Sequence, residues 1–254
     1  MVGYLSLAAA GFGSYGKAKR GLIMNIIRTA ERRLYQQVAD QIRGLIQSGH
    51  FSAGSRLPAE RDLAQQLGVS RPSLREALIA LEIDGTVEIR MGSGIYVIGM
   101  AERRALAPAA TGESPVELME ARATVESAVA ALAATRMTPM MLQALRVTLD
   151  AMRLDIEEGR KPLDHDRQFH LAIAGQTGNG VIARLVAELF DERHSPMSSQ
   201  FRAHFDTPAN WLSALAEHEA ILAALEARDG PLAEALMRVH LAESKRRWVE
   251  SEPR

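Results

Sequence analysis

The sequence predicts a mainly α-helical chain with a small β-wing: an N-terminal winged helix-turn-helix domain and a C-terminal all-α antiparallel helical bundle. Three observations predict this. Two segments with helical periodicity flank a tight turn near residue 68, and a short alternating segment follows them. Beyond residue 112 the periodicity is helical throughout. Aromatic residues make up only 5% of the chain, so the bundle must pack through small and branched aliphatic side chains.

The order of these features divides the chain into four segments. The first is rich in Gly, Ala and Ser and is expected to be a disordered extension, and the third, with Pro108 and Gly112, is expected to be a linker. The segments are 1–23 (extension), 24–100 (winged domain), 101–112 (linker) and 113–254 (bundle). The predicted bundle helices are about 115–136, 139–158, 162–176, 179–191 with an extension of undefined length, 208–228 and 231–250.

The composition excludes several classes of protein. The chain has no cysteine, so disulfides and thiolate metal sites are excluded, and a cytoplasmic location is expected. No apolar run is long enough to cross a bilayer, so no membrane partner is expected. The formal net charge is −1, and any binding of nucleic acid must therefore come from a local basic surface.

The predicted winged domain has the elements of a DNA-reading surface. A helix over residues 34–47 precedes a short helix after Pro58, a tight turn, and a helix that Ser70 is expected to cap and that ends near residue 84. Alternation over residues 87–98 predicts a β-hairpin, which would form the wing. In such a unit the second helix of the motif enters the major groove of DNA.

The candidate DNA-contacting residues lie around the start of that second helix. Arg71 and Arg75 are four residues apart and are placed on one helical face, opposite Leu74 and Leu78. Arginine forms bidentate hydrogen bonds with guanine and also pairs with phosphate. Serine hydroxyls donate hydrogen bonds to phosphate. Two arginines alone are typical of a solvated face, but the turn, cap and wing together favour DNA. The predicted contacts with double-stranded DNA are Arg61, Ser70, Arg71, Ser73, Arg75, Arg90 and Gly92.

A second candidate site consists of histidines and an aspartate on bundle helices. Asp166 and His170 are four residues apart and project from one helical face, and His218 and His240 lie on two later helices. Three neutral imidazoles and one carboxylate suit a divalent first-row metal ion. Spacing alone leaves ordinary surface or core histidines as the alternative, but the apolar segments around His170 and His218 favour a metal site. Zinc is expected, with nickel and manganese as alternatives.

The motif residues carry a family resemblance in both domains. Leu57-Pro58-Ala59-Glu60-Arg61-Asp62-Leu63-Ala64 and Gly68-Val69-Ser70-Arg71-Pro72-Ser73-Leu74-Arg75-Glu76-Ala77-Leu78 resemble the GntR family of repressors, over residues 34–98. The resemblance implies that Arg61, Arg71, Arg75 and Gly92 contact operator DNA. The Asp-x-x-x-His motif, Thr177-Gly178-Asn179, and the two later histidines resemble the FCD effector domain of the FadR-type subfamily, over about residues 115–248.

The second resemblance implies an effector site as well as a metal site. Asp166, His170, His218 and His240 would be the metal ligands, and Arg122 would face the pocket and pair with an effector carboxylate. An intrahelical ion pair between Arg122 and Glu126 is the alternative. Asn179 is the other predicted effector contact.

Together these features predict a homodimeric, ligand-responsive transcription regulator, expected to repress an operon for the catabolism of a sugar acid or another carboxylate. An overall likeness to regulators of hexuronate catabolism favours a hexuronate effector, and lactate-like hydroxy acids and dicarboxylates remain as other candidates. A metal-responsive repressor and a metalloenzyme fused to a DNA-binding module are the alternatives. The chain is not expected to be an enzyme, because Leu222 stands where a His-Glu-x-x-His motif would need its second histidine.

Overall fold

The computed structural model describes residues 33–98 and 113–250, so the predicted extension (1–23) and linker (101–112) lie outside the described residues. Within these ranges the chain is mainly helical with one two-stranded sheet, which confirms the predicted fold class. None of the helices in this part combines the length and the apolar content needed to cross a membrane. The elements of the first domain are α1 (Leu34–Gln47), α2 (Glu60–Leu67), α3 (Arg71–Ile83), β1 (Val87–Arg90) and β2 (Gly94–Val97).

The first domain is organised around α3. Ser70 is the predicted N-cap, and its hydroxyl accepts a hydrogen bond of 3.2 Å from the backbone N–H of Ser73. Gly68 ends α2 with φ 67°, a left-handed conformation that glycine adopts without strain and that makes the tight turn possible. Every residue from Leu74 to Leu81 is buried, because α3 packs against α1 and α2 and also against helices of the second domain.

The second domain is a helical bundle in which each predicted helix is present, with ends within two residues of expectation. Its helices are α4 (Pro115–Ala134), α5 (Pro139–Glu157), α6 (Leu163–Gln176), α7 (Gly180–Asp191), α8 (Pro196–Phe205), α9 (Pro208–Glu226) and α10 (Gly230–Glu250). The first and last of these pack along each other, and α9 packs against both α10 and α5. The short turn after α9 makes α9 and α10 an antiparallel pair.

The predicted extension of the helix over 179–191 is a separate helix. A 3-10 turn over Glu192–His194 follows α7, and α8 begins at Pro196. The break lies at Ser195, which has an extended conformation (φ −57°, ψ 152°). A residue before proline disfavours the α region, and the Ser195 hydroxyl caps α8 by accepting from the N–H of Ser198.

The two domains meet along α3. The buried carboxylate of Glu76 accepts hydrogen bonds from the Ser114 hydroxyl at 2.6 Å and from the N–H of Val116 at 3.0 Å. Burial raises the pKa of Glu76, although these two hydrogen bonds oppose the shift. The start of α4 is thereby tied to the middle of the helix that carries the predicted DNA contacts.

Candidate nucleic-acid interface and metal centre

One groove of the first domain collects most of the predicted DNA-contacting residues. It runs between the start of α2, the start of α3 and the β-hairpin. The groove is lined by five arginines, Arg56, Arg61, Arg71, Arg75 and Arg90, with Gly92 at its wing edge. All of these arginines except Arg75 are exposed, and we call this surface the arginine groove.

Arg56 is the member of the groove that the sequence analysis did not single out. Its backbone pairs with Tyr96 as an isolated bridge next to the hairpin, and its side chain lies over Gly94 of the wing. A Cβ at Gly94 would lie 2.3 Å from Arg56 Nε, and the φ of Gly94 is 119°. The positive φ favours glycine at position 94, and a larger residue there would also displace the flexible end of the Arg56 side chain.

Arg75 is placed differently from the expectation. Its side chain is 1% exposed, and Nε donates to Glu60 Oε2 at 2.7 Å. At 3.6 residues per turn, position 75 lies on the same side of the helix as Leu74 and Leu78. The expectation that Arg71 and Arg75 lie opposite those leucines is therefore wrong, although the two arginines do share the groove.

Ser70 and Ser73 lie on another side of the start of α3. Their hydroxyl oxygens are 2.8 Å apart. Both residues line a cavity between the domains, together with Ser114 and Glu117, and neither lines the arginine groove. The structure thus separates the predicted serine contacts from the arginine contacts.

Four side chains of the second domain converge at one point, and we call them the histidine cluster: Asp166 and His170 on α6, His218 on α9 and His240 on α10. His218 Nε2 lies 3.3 Å from His170 Nε2, 3.1 Å from His240 Nε2 and 3.5 Å from Asp166 Oδ1. One possible ligand atom from each residue lies within 4.8 Å of the others, and the three histidines are buried.

The electrostatics of the cluster favour the protonation states that metal ligands need. Burial lowers the pKa of His218 well below its ordinary value, and repulsion from His240 adds to the shift. Burial also lowers the pKa of His240. For Asp166, burial alone would raise the pKa, but the charges of Arg193 and the two nearby histidines hold that pKa far below its usual range. Neutral imidazoles and an ionised carboxylate are the forms that bind metal.

Two glutamates fix the orientation of the imidazoles. His170 Nδ1 forms a short hydrogen bond with Glu126, and His240 Nδ1 forms one of 2.8 Å with Glu217. In each case the carboxylate accepts a hydrogen bond from Nδ1–H, so the lone pair of Nε2 faces the centre of the cluster. Lone pairs that face one another in this way repel unless a cation lies between them. This donor set fits a divalent metal ion with imidazole and carboxylate ligands.

A cavity adjoins the cluster and brings Arg122 to it. The walls of this cavity include Arg122, Asp166, Arg193 and His240. Arg122 is 1% exposed, and its Nε donates to Glu126 Oε1 at 2.7 Å. Within the described ranges, its buried Nη2 has no hydrogen-bond partner. The intrahelical pair with Glu126 is therefore present, and Arg122 also lines the cavity, where its contact with an effector stays a prediction.

Asn179, the other predicted effector contact, lies elsewhere. Its Oδ1 accepts hydrogen bonds from the N–H groups of Val181 and Ile182 at 3.0 and 3.3 Å, so it caps α7. The described residues that line the cavity do not include it.

Hydrogen bonds connect the cluster to α8. Arg193 Nη1 donates to Asp166 Oδ2 at 2.5 Å. The backbone carbonyl of Arg193 accepts a short hydrogen bond from Arg202 Nη1 on α8. One member of the histidine cluster, Asp166, is therefore linked to this helix through a single residue, Arg193.

The same helix contacts the first domain. Gln200 and His204 bind Glu82 Oε2 of α3 at 3.0 and 2.7 Å. The other oxygen of Glu82 accepts from the N–H of Ile89 in β1 at 3.0 Å. Burial alone would raise the pKa of Glu82, but the hydrogen bonds from His204, Gln200 and Ile89 outweigh it and lower that pKa. This contact joins α8, α3 and the wing at one carboxylate.

Both domains match known families. Residues 34–97 match the family described as bacterial regulatory proteins, gntR family, and residues 117–243 match the FCD domain. The Exu regulon transcriptional regulator of Escherichia coli K12 is 36% identical over 224 residues, which cover 85% of each chain. The Uxu operon transcriptional regulator of the same strain is 36% identical over 229 residues, covering 87% of this chain and 89% of that protein. A solved structure, Streptococcus agalactiae GntR, aligns with a TM-score of 0.45 and 25% identity over 84% of this chain and 99% of that one.

Proposed function

We propose that this chain, which belongs to the GntR family of bacterial regulatory proteins and carries an FCD domain, represses an operon for sugar-acid catabolism and releases its DNA when the acid binds beside the histidine cluster. The chain is a DNA-binding transcription regulator and not an enzyme. The observation that carries the effector proposal is Arg122, a buried cation that lines the same cavity as Asp166 and His240 and whose Nη2 has no hydrogen-bond partner among the described residues.

Asp166, His170, His218 and His240 would hold a divalent ion, with zinc expected and nickel or manganese as alternatives. Such an ion supplies Lewis-acid positions for the oxygens of a small acid. Arg122 supplies a guanidinium that forms charge-assisted hydrogen bonds with a carboxylate. Since Arg122 is buried, solvent screens this attraction little. Because Asn179 caps α7 outside this cavity, the proposal assigns the carboxylate to Arg122.

The relatives and the sequence support the proposed class of acid. The Exu and Uxu regulators are similar to this chain over most of its length. The overall sequence likeness to regulators of hexuronate catabolism also supports a sugar acid as the effector. A hexuronate is therefore the first candidate, and other sugar acids and lactate-like acids come next.

The DNA-binding half of the proposal rests on the arginine groove. Arg61, Arg71 and Arg90 are exposed along it, and Arg56 adds a further positive charge. Exposed guanidiniums pair with phosphates and read guanine in the major groove. Gly92 lies at the wing edge and has no side chain, so the backbone of the wing can approach the DNA closely. Such domains read two half-sites with twofold symmetry, so we expect the chain to act as a homodimer.

Coupling between the two halves would run through α8. A carboxylate in the cavity competes with Asp166 for Arg193, since both residues line it. A shift of Arg193 moves the carbonyl that Arg202 binds, and α8 also holds Glu82 on α3. Effector binding thereby changes the position of α3 and the wing. Because coupling is reciprocal, operator DNA must weaken effector binding by the same factor.

The test is a titration of the zinc-loaded protein onto a labelled fragment of its upstream DNA, followed by hexuronates and other acids one at a time. We expect a hexuronate to release the DNA from the wild type. His218→Ala should bind the DNA with unchanged affinity and no longer respond. His165→Ala is the matched control, because His165 lies on α6 outside the cluster.

Two outcomes would overturn the proposal. Release by a chelator, with no acid acting, would make the protein a metal-responsive repressor. Failure to bind either the upstream DNA or any member of a random-sequence pool would remove the DNA-binding function itself.

A further inference from the structure

We infer that the cavity beside the histidine cluster has a second, hydrogen-bonding subsite around Trp211, which binds the hydroxylated tail of the acid and selects long polyhydroxy monocarboxylates over short acids. This inference rests on the proposed function, because it concerns the other end of the same ligand.

The cavity extends away from the cluster along two helices, α9 and α10. On α9, Trp211 and Ala214 precede His218 by seven and four residues, so the three share one face. On α10, Ser244 and Arg247 follow His240 by four and seven residues. A step of seven residues covers about 10 Å of helix. Since α9 and α10 are antiparallel, both stripes run in the same direction, and their members other than His218 line the cavity.

Trp211 brings an unused donor to the far end of the cavity. Its Nε1 is buried and has no hydrogen-bond partner within the part of the chain that the structure describes. An indole N–H is only a donor, and a buried donor without an acceptor is unfavourable. A ligand hydroxyl would accept from it, and the flat ring offers an apolar surface for the C–H face of a sugar. Asn210 and Ser244 line the same end with further polar groups.

The space between Trp211 and the cluster is kept open by a small side chain. Ala214 lies between Trp211 and His218 on the cavity face of α9. Its methyl group takes up less of this space than a longer side chain would. Because Trp211 and His218 are separated by about 10 Å of helix, a two- or three-carbon acid held at the cluster would not reach Trp211.

The charges at the far end favour hydroxyl groups over a second carboxylate. Arg247 lines this end, but its Nη1 and Nη2 are bound to Glu217 at 2.6 and 3.0 Å. Asp206 adds a carboxylate to the lining. Among the residues that line this end, a second carboxylate would therefore meet an arginine that is already paired and the carboxylate of Asp206, whereas a neutral polyol tail would meet no like charge.

The test is calorimetric binding of D-glucuronate, D-galacturonate and L-lactate to the full-length zinc-loaded protein. We expect the wild type to bind at least one of the hexuronates about tenfold more tightly than lactate. Trp211→Phe keeps the ring but removes the N–H, so it should weaken that hexuronate about fivefold, as expected for one lost hydrogen bond, and leave lactate within twofold. Ala214→Leu should block the tail and weaken the hexuronate further. Leu212→Ala, on the exposed side of α9, should change neither.

The outcomes separate this inference from the proposed function. Equal affinities for hexuronate and lactate, or a Trp211→Phe protein with wild-type hexuronate affinity, would overturn the subsite while leaving an acid-responsive repressor intact. Hexuronate binding that depends on Trp211 but does not release DNA would support the subsite and overturn the proposed function. Binding of no acid at all would overturn both.

Discussion

The arginine groove and the histidine cluster present their charges in opposite ways. Most of the groove's arginines are exposed, and they come from one short stretch of chain between Arg56 and Arg90. The histidines of the cluster are buried and Asp166 is partly buried, and the four residues come from three helices between Asp166 and His240. Exposed cations stay hydrated until DNA arrives, and each contributes separately. Buried ligands are positioned by their neighbours in advance, so the loss of one should disable the whole site.

The largest expected effect comes from removing the proposed metal, which would break the cluster as a unit. A ligand that binds only the folded state stabilises it by about 4 kcal/mol when its concentration is a thousand times its Kd. We therefore expect zinc to raise the melting temperature of the wild type strongly, and EDTA to reverse the rise. His218→Ala should show no zinc-dependent shift in differential scanning calorimetry. If its shift equals that of the wild type, the cluster is not the zinc site.

The second prediction sharpens the comparison within the groove, where Arg71 is exposed and Arg75 is buried. Arg71→Ala should weaken binding of the operator by about 1–3 kcal/mol, the value of a good base contact, with little change in stability. Arg75→Ala should instead lower the free energy of unfolding, because it leaves Glu60 without its 2.7 Å partner. Fluorescence anisotropy and urea unfolding separate the two effects. If Arg71→Ala and Arg75→Ala lower the free energy of unfolding equally, the assignment of Arg71 to DNA contact and of Arg75 to stability is contradicted.

The same contrast explains which features the sequence could predict. The Ser70 cap and the hairpin follow from local rules, and the four-residue spacing of Asp166 and His170 places both on one face. Their convergence with His218 and His240 depends on helix packing, which the apolar segments around His170 and His218 indicated and the family resemblance supported.

Two other features were missed for different reasons. The burial of Arg75 had a local signal, its position beside Leu74 and Leu78 on one side of α3, and its partner Glu60 belongs to the preceding helix. The pairing of Glu82 with His204 joins residues 122 positions apart, and neither residue carries a local signal.

The third prediction concerns Glu82, which links the second domain, through α8, to the helix that lines the groove. Glu82→Gln should reduce the response of DNA binding to the acid, because a neutral amide is a weaker acceptor for Gln200 and His204. Operator affinity without acid should change less than the response does. Anisotropy titrations with and without hexuronate measure both quantities. If hexuronate changes the operator affinity of Glu82→Gln by the same factor as that of the wild type, α8 does not transmit the signal.

The smallest expected effect is the pH dependence of the same contact. The pKa of Glu82 is lowered in the folded protein, so its contribution to stability is present above the ordinary carboxyl pKa of about 4.3 and is lost as pH falls through the lower folded value. At pH 7, Glu82→Gln should cost about 1 kcal/mol of unfolding free energy, the typical value of a partly buried hydrogen bond. That difference from the wild type should shrink as pH falls below the ordinary carboxyl pKa of about 4.3 and through the lower folded value. Urea unfolding across this range measures the difference, with the exposed Glu157→Gln as control. A difference that stays constant down to pH 3 would mean that the ionised carboxylate contributes nothing to the contact.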